Sequence, residues 1–139
     1  MTKILQCISP IDGSVYLERE TLAPGAAFSS VARARAAQLN WAARPLQERV
    51  DLCLKAVAEV GQTVDRMAIE LAHQMGRPVR YGGEFSGFEE RALYMGKIAA
   101  SSLESLVIEK SSSFRRLIKR EPHGVIFVVA PWNLSLIHI

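Results

Sequence analysis

Three residues near the end of the sequence have side chains and a position that could do chemistry. Pro131, Trp132 and Asn133 directly follow the apolar run GVIFVVA at 124–130. In open α/β sheets, ligands bind beyond the carboxyl ends of the strands. Asn133 carries an uncharged amide, and such a donor fixed beside a reacting carbonyl can stabilise the oxyanion that forms on attack. A loop Asn also commonly caps a turn, and these three residues alone leave that alternative open.

The remaining reactive side chains lack partners at a catalytic or metal-binding spacing. Cys7 and Cys53 lie far apart and have no activating neighbour in sequence, which predicts reduced thiols and a cytoplasmic protein. His73 is predicted at the boundary of a helix face and His123 in a turn, and neither has a second ligand nearby in sequence. The sequence therefore predicts no metal site.

Composition and charge bear on the class of partner. The net charge is +3 and the sequence pI is about 9.1, with much of the excess in FRRLIKR at 114–120. No nucleic-acid motif accompanies this stretch, so it is predicted to be a strand with a solvated basic face. No apolar run reaches the roughly 18 residues that a membrane span needs. We therefore expect neither a nucleic acid nor a membrane as a partner.

The elements that must position Asn133 follow from the periodicity of the sequence. Asp12 and Gly13 between short apolar segments predict an N-terminal β-hairpin. The segments SLVIEK and FRRLIKR flank a serine loop and predict a second antiparallel hairpin. Between the hairpins, apolar residues at offsets of three and four predict four helices, at about 24–44, 45–61, 63–76 and 83–102.

Two details of these helices are specific enough to test. Thr63 is expected to cap the third helix with its side chain. The first helix is expected to present one apolar face. Its members are Phe28, Val31, Ala32, Leu39 and Ala43.

The run at 124–130 has no polar alternation, which predicts a strand covered on both faces, as in a parallel sheet. A parallel sheet is built from successive strand-helix-strand units, and the sequence offers this strand no parallel partner. The predicted fold class is therefore α/β, and the chain is expected to be the front portion of a larger protein.

Three segments, in order, resemble the aldehyde dehydrogenase superfamily. REPHGVIFVVAPWN at 120–133 is similar to the family's Glu-Pro-x-Gly-Val lead-in, apolar strand and Pro-Trp-Asn. NWAARPLQERVDLCLKAV at 40–57 resembles the family's Trp-x-x-x-Pro-x-x-x-Arg segment, and the Asp12-Gly13 hairpin resembles its opening element. The matching residues outside the hairpin are Trp41, Pro45, Arg49, Glu121, Pro122, Gly124, Val125, Pro131, Trp132 and Asn133.

The resemblance implies a role for each of these segments. Residues 1–133 would form the first part of an NAD(P)-binding domain, with 124–130 as the first buried strand of a Rossmann-like sheet. A hairpin at about 104–120 would be an oligomerisation arm, which implies a homo-oligomer. Asn133 would be the oxyanion-hole asparagine. The nicotinamide side of an NAD or NADP site would be lined, largely by backbone groups, by Val129, Ala130, Pro131 and Trp132.

The resemblance also implies an activity, the oxidation of an aldehyde to a carboxylic acid through a thiohemiacetal on a cysteine. The family's nucleophilic cysteine and general-base glutamate have no match here, so the 139-residue chain alone is expected to be inactive. Residues 134–139 depart from the family pattern of an aromatic residue and then Pro. We expect them to be a non-native tail from a frameshift or a cloning or sequencing junction.

Two other functions stay open on the sequence. The chain could be a small non-catalytic interaction module that binds partners through its basic hairpin. It could also be part of a related reductase that acts on an acyl-phosphate or a thioester.

Overall fold

The computed structural model describes residues 3–82 and 85–129. The elements run in the order β1 (Ile4–Ile8), β2 (Val15–Glu20), α1 (Pro24–Ala43), α2 (Leu46–Gly61), α3 (Val64–Met75), a short 3-10 turn (Val79–Tyr81), α4 (Phe85–Leu103), β3 (Leu106–Lys110) and β4 (Arg115–Ile118). The predicted order of a hairpin, four helices and a second hairpin is confirmed, and so is the α/β class. The predicted start of the fourth helix at residue 83 lies outside the described residues.

Short polar side chains close both hairpins, which are antiparallel. In the β1–β2 turn, the Asp12 carboxylate accepts hydrogen bonds from the Ser14 backbone N–H at 3.0 Å and the Ser14 hydroxyl at 2.7 Å. In the β3–β4 turn, the Ser111 hydroxyl oxygen accepts a hydrogen bond from the Phe114 backbone N–H at 3.1 Å. Each turn is therefore fixed by a residue that bonds its own neighbours, as Asp and Ser commonly do.

The helix ends follow the sequence with one exception. α2 ends at Gly61, and α3 ends before Gly76, which has the left-handed φ of +76° that favours glycine. Thr63 occupies the N-cap position of α3 but makes no side-chain cap there. Its hydroxyl instead donates to the Val60 carbonyl at 2.7 Å. The expected Thr63 cap is wrong, because the short loop brings the Thr63 hydroxyl to a carbonyl at the end of α2, which also accepts the Thr63 backbone N–H at 2.9 Å.

The packing of α2 against α4 makes the main helical contact. Gly96 of α4 lies against Val50 and Leu54, where an added Cβ would be 3.3 Å from a methyl carbon of each. At the other end of the pair, Phe85 is buried against the backbone of Gly61. The absence of a side chain at Gly96 and Gly61 therefore lets the two helices approach closely.

Helix α1 differs from its expected packing. Phe28 and Leu39, on its predicted apolar face, are 77% and 71% exposed, and no residue of α1 is buried. The residues that the body partly covers are spaced by four and are Ser30, Ala34, Gln38 and Ala42. The predicted face is wrong, because the body approaches the stripe of smaller side chains. Neither α1 nor any other helix of the described part is long and apolar enough to cross a membrane.

The expected buried strand at 124–130 is not formed within the described residues. No strand is assigned to residues 121–129, and residues 125–129 are 42% to 89% exposed. A strand needs a hydrogen-bonded neighbour, and each of the two described sheets consists of one hairpin. The last residue of the predicted strand, Ala130, lies outside the described part of the chain.

Candidate functional site

The predicted site residues fall at the edge of the described structure. Val129 is described and is 80% exposed. Ala130, Pro131, Trp132 and Asn133 lie outside the described residues, as does the tail at 134–139. The coenzyme contacts and the oxyanion amide therefore stay predictions. What the structure describes is the segment that leads to them, residues 120–129, here called the lead-in, and the helices beside it.

A cleft of about 580 Å³, here called the lead-in cleft, lies between residues 120–123 of the lead-in and helices α2 and α4. Its walls are Leu46, Arg49, Leu103, Arg120, Glu121, Pro122 and His123. Arg49 belongs to the Trp-Pro-Arg segment, whereas Glu121 and Pro122 belong to the Glu-Pro segment. The structure thus brings together two of the three sequence segments that carried the resemblance.

The lead-in cleft carries an excess of positive charge. The Nε of Arg49 is buried, and no group in the described residues accepts a hydrogen bond from it. The Nε of Arg120 donates to the Glu104 carbonyl at 3.4 Å. Glu121 is the acidic residue of the cleft wall, and Lys119 pairs with it at 2.5 Å. The Arg120 contact with the Glu104 carbonyl links the lead-in to the residue after α4, and the cleft lining includes no cysteine or serine nucleophile.

A second cleft of about 560 Å³, here called the α1 cleft, lies along α1. Val125 of the lead-in forms one wall. The other wall comes from α1 and the residue after it, and consists of Ala34, Ala37, Gln38, Asn40, Trp41 and Arg44. Between the two clefts, Gly124 has a φ of +95°. Gly124 thus lies between the residues that line the two clefts.

The third segment of the resemblance, the β1–β2 hairpin, contacts the C-terminal end of α3 instead. The rings of Tyr16 and His73 are stacked, with centroids 4.6 Å apart. The Cys7 thiol donates to the Gln74 carbonyl at 3.8 Å. The sequence placed His73 at the boundary of a helix face but gave no sign of its pairing with Tyr16, because no local pattern links residues so distant in sequence.

Two pKa shifts accompany this contact. Partial burial, followed by the negative charge of Glu70, raises the pKa of the Tyr16 phenol. The backbone N–H of Ser14 and then its hydroxyl lower the pKa of the Asp12 carboxyl, and the nearby His73 adds to this effect. Both shifts have structural causes in the hairpin and its contact, and neither group lines the lead-in cleft.

The two cysteines show no sign of nucleophilic activation. The thiol of Cys7 is held as a hydrogen-bond donor to a backbone carbonyl, and Cys53 is exposed beside the cleft between α2 and α4. Within residues 3–82 and 85–129, no group of three His, Cys, Asp or Glu side chains is placed to hold a metal ion. The described residues thus do not by themselves form a reaction centre.

The sequence as a whole matches a known family. The family model described as the aldehyde dehydrogenase family matches residues 1–139. The chain belongs to the aldehyde dehydrogenase family. The resemblance drawn from three short segments is therefore confirmed over the whole sequence.

Individual aldehyde dehydrogenases share a little over a quarter of their aligned residues with this chain. An N-succinylglutamate 5-semialdehyde dehydrogenase of Novosphingobium aromaticivorans is 27% identical over 104 residues, which cover 74% of this chain and 22% of the relative. A probable succinate-semialdehyde dehydrogenase (NADP+) of Sinorhizobium fredii is 28% identical over 128 residues, which cover 90% of this chain and 26% of the relative. The chain thus spans about a quarter of the length of these relatives.

Solved aldehyde dehydrogenase structures share the fold. An indole-3-acetaldehyde dehydrogenase in its apo form matches with a TM-score of 0.76 and 22% identity, over 88% of this chain and 29% of that one. The indole-3-acetaldehyde dehydrogenase of P. syringae, a mutant in complex with NAD+ and IAA, matches with the same TM-score and identity, over 25% of its length. The arrangement of the hairpins and helices is therefore that of the corresponding part of an aldehyde dehydrogenase.

Proposed function

We propose that this chain is the N-terminal part of an NAD(P)-dependent aldehyde dehydrogenase that oxidises an aldehyde to a carboxylic acid in the cytoplasm. The observation that carries the proposal is the family match over residues 1–139. The names of the two relatives above describe enzymes that act on semialdehydes, which supports an aldehyde as the substrate. The two free cysteines agree with a reducing compartment.

Asn133 supplies the donor that stabilises the transition state. A neutral aldehyde gains little from an amide N–H, whereas the tetrahedral alkoxide formed on attack carries a full negative charge. An amide fixed at that oxygen therefore lowers the barrier more than it strengthens substrate binding. The nucleophilic cysteine and the general base come from sequence outside these 139 residues. The attack and the proton transfer cannot be completed by this chain alone.

The backbone of Val129, Ala130, Pro131 and Trp132 holds the nicotinamide side of NAD or NADP. Of these residues the structure describes Val129, which belongs to an exposed, uncharged run of apolar side chains at 125–129. An uncharged apolar surface suits contact with a flat aromatic ring. When bound, the coenzyme supplies the electron acceptor of the oxidation. The role of these residues is to bind and orient it.

The β3–β4 hairpin serves as an oligomerisation arm between copies of the protein. Its apolar side chains Val107, Phe114 and Leu117 are exposed, and isolated two-stranded hairpins rarely support themselves in water. Part of its basic charge is already engaged, since Arg116 pairs with Glu109 at 3.4 Å and lies over the Phe114 ring. A partly neutralised surface with exposed apolar residues fits a protein partner better than a nucleic acid.

The proposal is tested by changing Asn133 to Ala in a full-length protein that contains this chain. Turnover of the aldehyde should fall by about 100-fold, or roughly 3 kcal/mol, while coenzyme affinity is kept. Asn133→Asp should be at least as damaging, because a carboxylate has no donor and repels the oxyanion. Gln62→Ala removes an amide at an exposed position and serves as the matched control. Near-normal turnover in Asn133→Ala would show that Asn133 only caps a turn.

The 139-residue chain alone provides a separate test of whether the nucleophile lies elsewhere in the protein. Incubated with NAD+ or NADP+ and a panel of aldehydes that includes succinate semialdehyde, it should form no reduced coenzyme. Absorbance of the reduced nicotinamide is the measurement. Aldehyde-dependent formation of NADH or NADPH by the purified chain would contradict the proposal that the nucleophile lies elsewhere.

A further inference from the structure

The two arginines on the walls of the lead-in cleft have no carboxylate partner in the described residues. Arg49 comes from α2 and Arg120 from the lead-in, and both line the cleft. Arg120 donates to a backbone oxygen, the carbonyl of Glu104, at 3.4 Å. Arg49 has its Nε buried without an acceptor among the described residues. The cleft therefore contains two positive charges that these contacts do not neutralise.

The acidic residues nearby already have other partners. Glu121 lies on the wall of the cleft and pairs with Lys119 at 2.5 Å. Glu48, next to Arg49 in the first turn of α2, pairs with Arg44 at 3.7 Å. The two glutamate side chains are 63% and 55% exposed, so each is largely solvated and compensates neighbouring charges weakly. The electrostatic potential in the cleft thus stays positive.

Partial burial makes the charge of Arg49 costly to leave unpaired. Its Nε is shielded from solvent, so part of the guanidinium has lost the water that would otherwise accept its hydrogen bond. Native proteins satisfy nearly all buried polar groups, and an ion or an ordered water can supply the missing partner. A cation withdrawn from water favours an anion over a neutral acceptor. An anion in the cleft would therefore interact more strongly with Arg49 than with an arginine on the open surface.

The start of α2 adds a second attraction for anions. Leu46, its first residue, lines the same cleft. The first N–H groups of a helix have no acceptor within the helix, and no side chain caps those of α2. Such a helix end carries partial positive charge and suits a bound phosphate. His123, also on the wall, offers a ring nitrogen as a further donor.

We propose that the lead-in cleft binds a phosphate group, which pairs with Arg49 and Arg120 beside the start of α2. Guanidinium groups bind phosphate oxygens through paired hydrogen bonds, and two of them suit a group that carries up to two negative charges. A volume of about 580 Å³ is typical of small-molecule sites, so the ligand is inorganic phosphate or a small phosphate ester. This binding does not depend on Asn133 or on aldehyde turnover.

The test is a calorimetric titration with inorganic phosphate of a full-length protein that contains this chain. Saturating coenzyme is kept present, so that phosphate does not bind at the coenzyme site. Arg49→Gln and Arg120→Gln should each weaken the affinity for phosphate by at least about 10-fold, because each removes a charged donor. Arg49→Lys should keep more affinity than Arg49→Gln, since it retains the charge. Glycerol phosphate in a parallel titration distinguishes the two ligands, because the natural one should bind more tightly.

Arg35→Gln is the matched control. It removes the same charge from an exposed arginine in the middle of α1 that lines neither the lead-in cleft nor the α1 cleft. Its affinity for phosphate should equal that of the parent, which separates a site from an effect of net charge. Arg120 is exposed, so Arg120→Gln keeps the test decisive if Arg49→Gln fails to fold.

The proposal fails if the parent binds no phosphate, even where Arg49→Gln lowers the stability, because another part of the same protein would then fill the cleft. It also fails if the parent and both cleft variants bind phosphate equally. An equal loss in Arg35→Gln would reduce the effect to net charge. Binding that is weakened in Arg49→Gln and Arg120→Gln and kept in Arg35→Gln establishes the site.

Discussion

The imidazole ring of His73 is stacked on the phenol ring of Tyr16, with 3° between the planes and 4.6 Å between the centroids. The stack connects β2 to the last turn of α3. The thiol of Cys7 reinforces it by donating to the Gln74 carbonyl in the same turn. The N-terminal hairpin is therefore attached to the helical body by a small set of side chains that can be removed one at a time.

Tyr16→Ala should loosen the hairpin from α3. An aromatic pair contributes about 1 kcal/mol beyond its buried area, so its loss should raise the open fraction by about 5-fold. The half-buried thiol of Cys7 reports this opening through its rate of labelling by a thiol reagent, measured in a Cys53→Ala background. Tyr81→Ala removes an exposed tyrosine in the 3-10 turn and should leave the rate unchanged. An equal rate in Tyr16→Ala and its parent would contradict the prediction.

The attachment of the hairpin should weaken at alkaline pH. The pKa of Tyr16 is raised in the folded chain, first by partial burial and then by Glu70. The resulting stability is fully present below the ordinary tyrosine pKa of about 10 and is lost as the pH rises through the folded value. Phenolate absorbance, taken as the difference between the parent and Tyr16→Phe, isolates this group from Tyr81 and Tyr94.

The same titration separates the two causes of the shift. Its midpoint should lie above that of free tyrosine. Glu70→Gln should lower the midpoint only in part, because burial is the larger cause. A midpoint at or below the free value in the parent would show that the phenol is not constrained by the contact.

Gly61→Ala should destabilise the packing of α2 against α4. An added Cβ would lie 2.8 Å from the Cζ of Phe85, which is itself buried. Overpacking of this kind costs about 1 to 3 kcal/mol, more than Ala gains over Gly in helix propensity. Gly87→Ala, in α4 with no heavy atom within 4 Å of its Cβ, should instead stabilise by up to about 1 kcal/mol. Urea unfolding of both variants gives the two signs, and a stabilised Gly61→Ala would refute the close contact.

Deleting residues 106–118 from a full-length protein should lower its oligomeric state. The exposed apolar residues of the β3–β4 hairpin need a partner surface to bury them. Light scattering measures the mass with and without the hairpin. Ser112→Gly, in the loop between β3 and β4, is a control that leaves the strands intact. An unchanged mass after the deletion would remove the assembly role from this hairpin.

Local structure could be predicted from the sequence because its causes are local. Asp12 and Ser14 close their turn by bonds within three residues, and Gly76 ends α3 through its own backbone angle. The long-range contacts had no such signal. Which stripe of α1 faces the body depends on what covers it. The body partly covers the small residue Ala34 and leaves the large residue Leu39 exposed. The strand predicted at 124–130 likewise required a neighbour that the described residues do not provide.

The candidate site, like the fold, could be predicted from the sequence only in part. The pattern around Asn133 predicted the family, which the match over residues 1–139 confirms, because a sequence motif reflects the chemistry of a site directly. The left-handed Gly124 and the two clefts that flank it could not be read from the same letters. A glycine in a motif can be needed for close packing or for a positive φ, and only the three-dimensional structure distinguishes the two reasons.

Helix α1 has no buried residue, so its stability depends little on packing against the rest of the chain. Its twenty residues include eight alanines. Intrinsic helix propensity therefore provides much of the stabilisation that tertiary contacts do not provide. The opening of α1 then costs much less than global unfolding, and its backbone amides should exchange with solvent long before those of α2 and α4. Arg33 and Arg35 in its middle become points where trypsin can cut the folded chain.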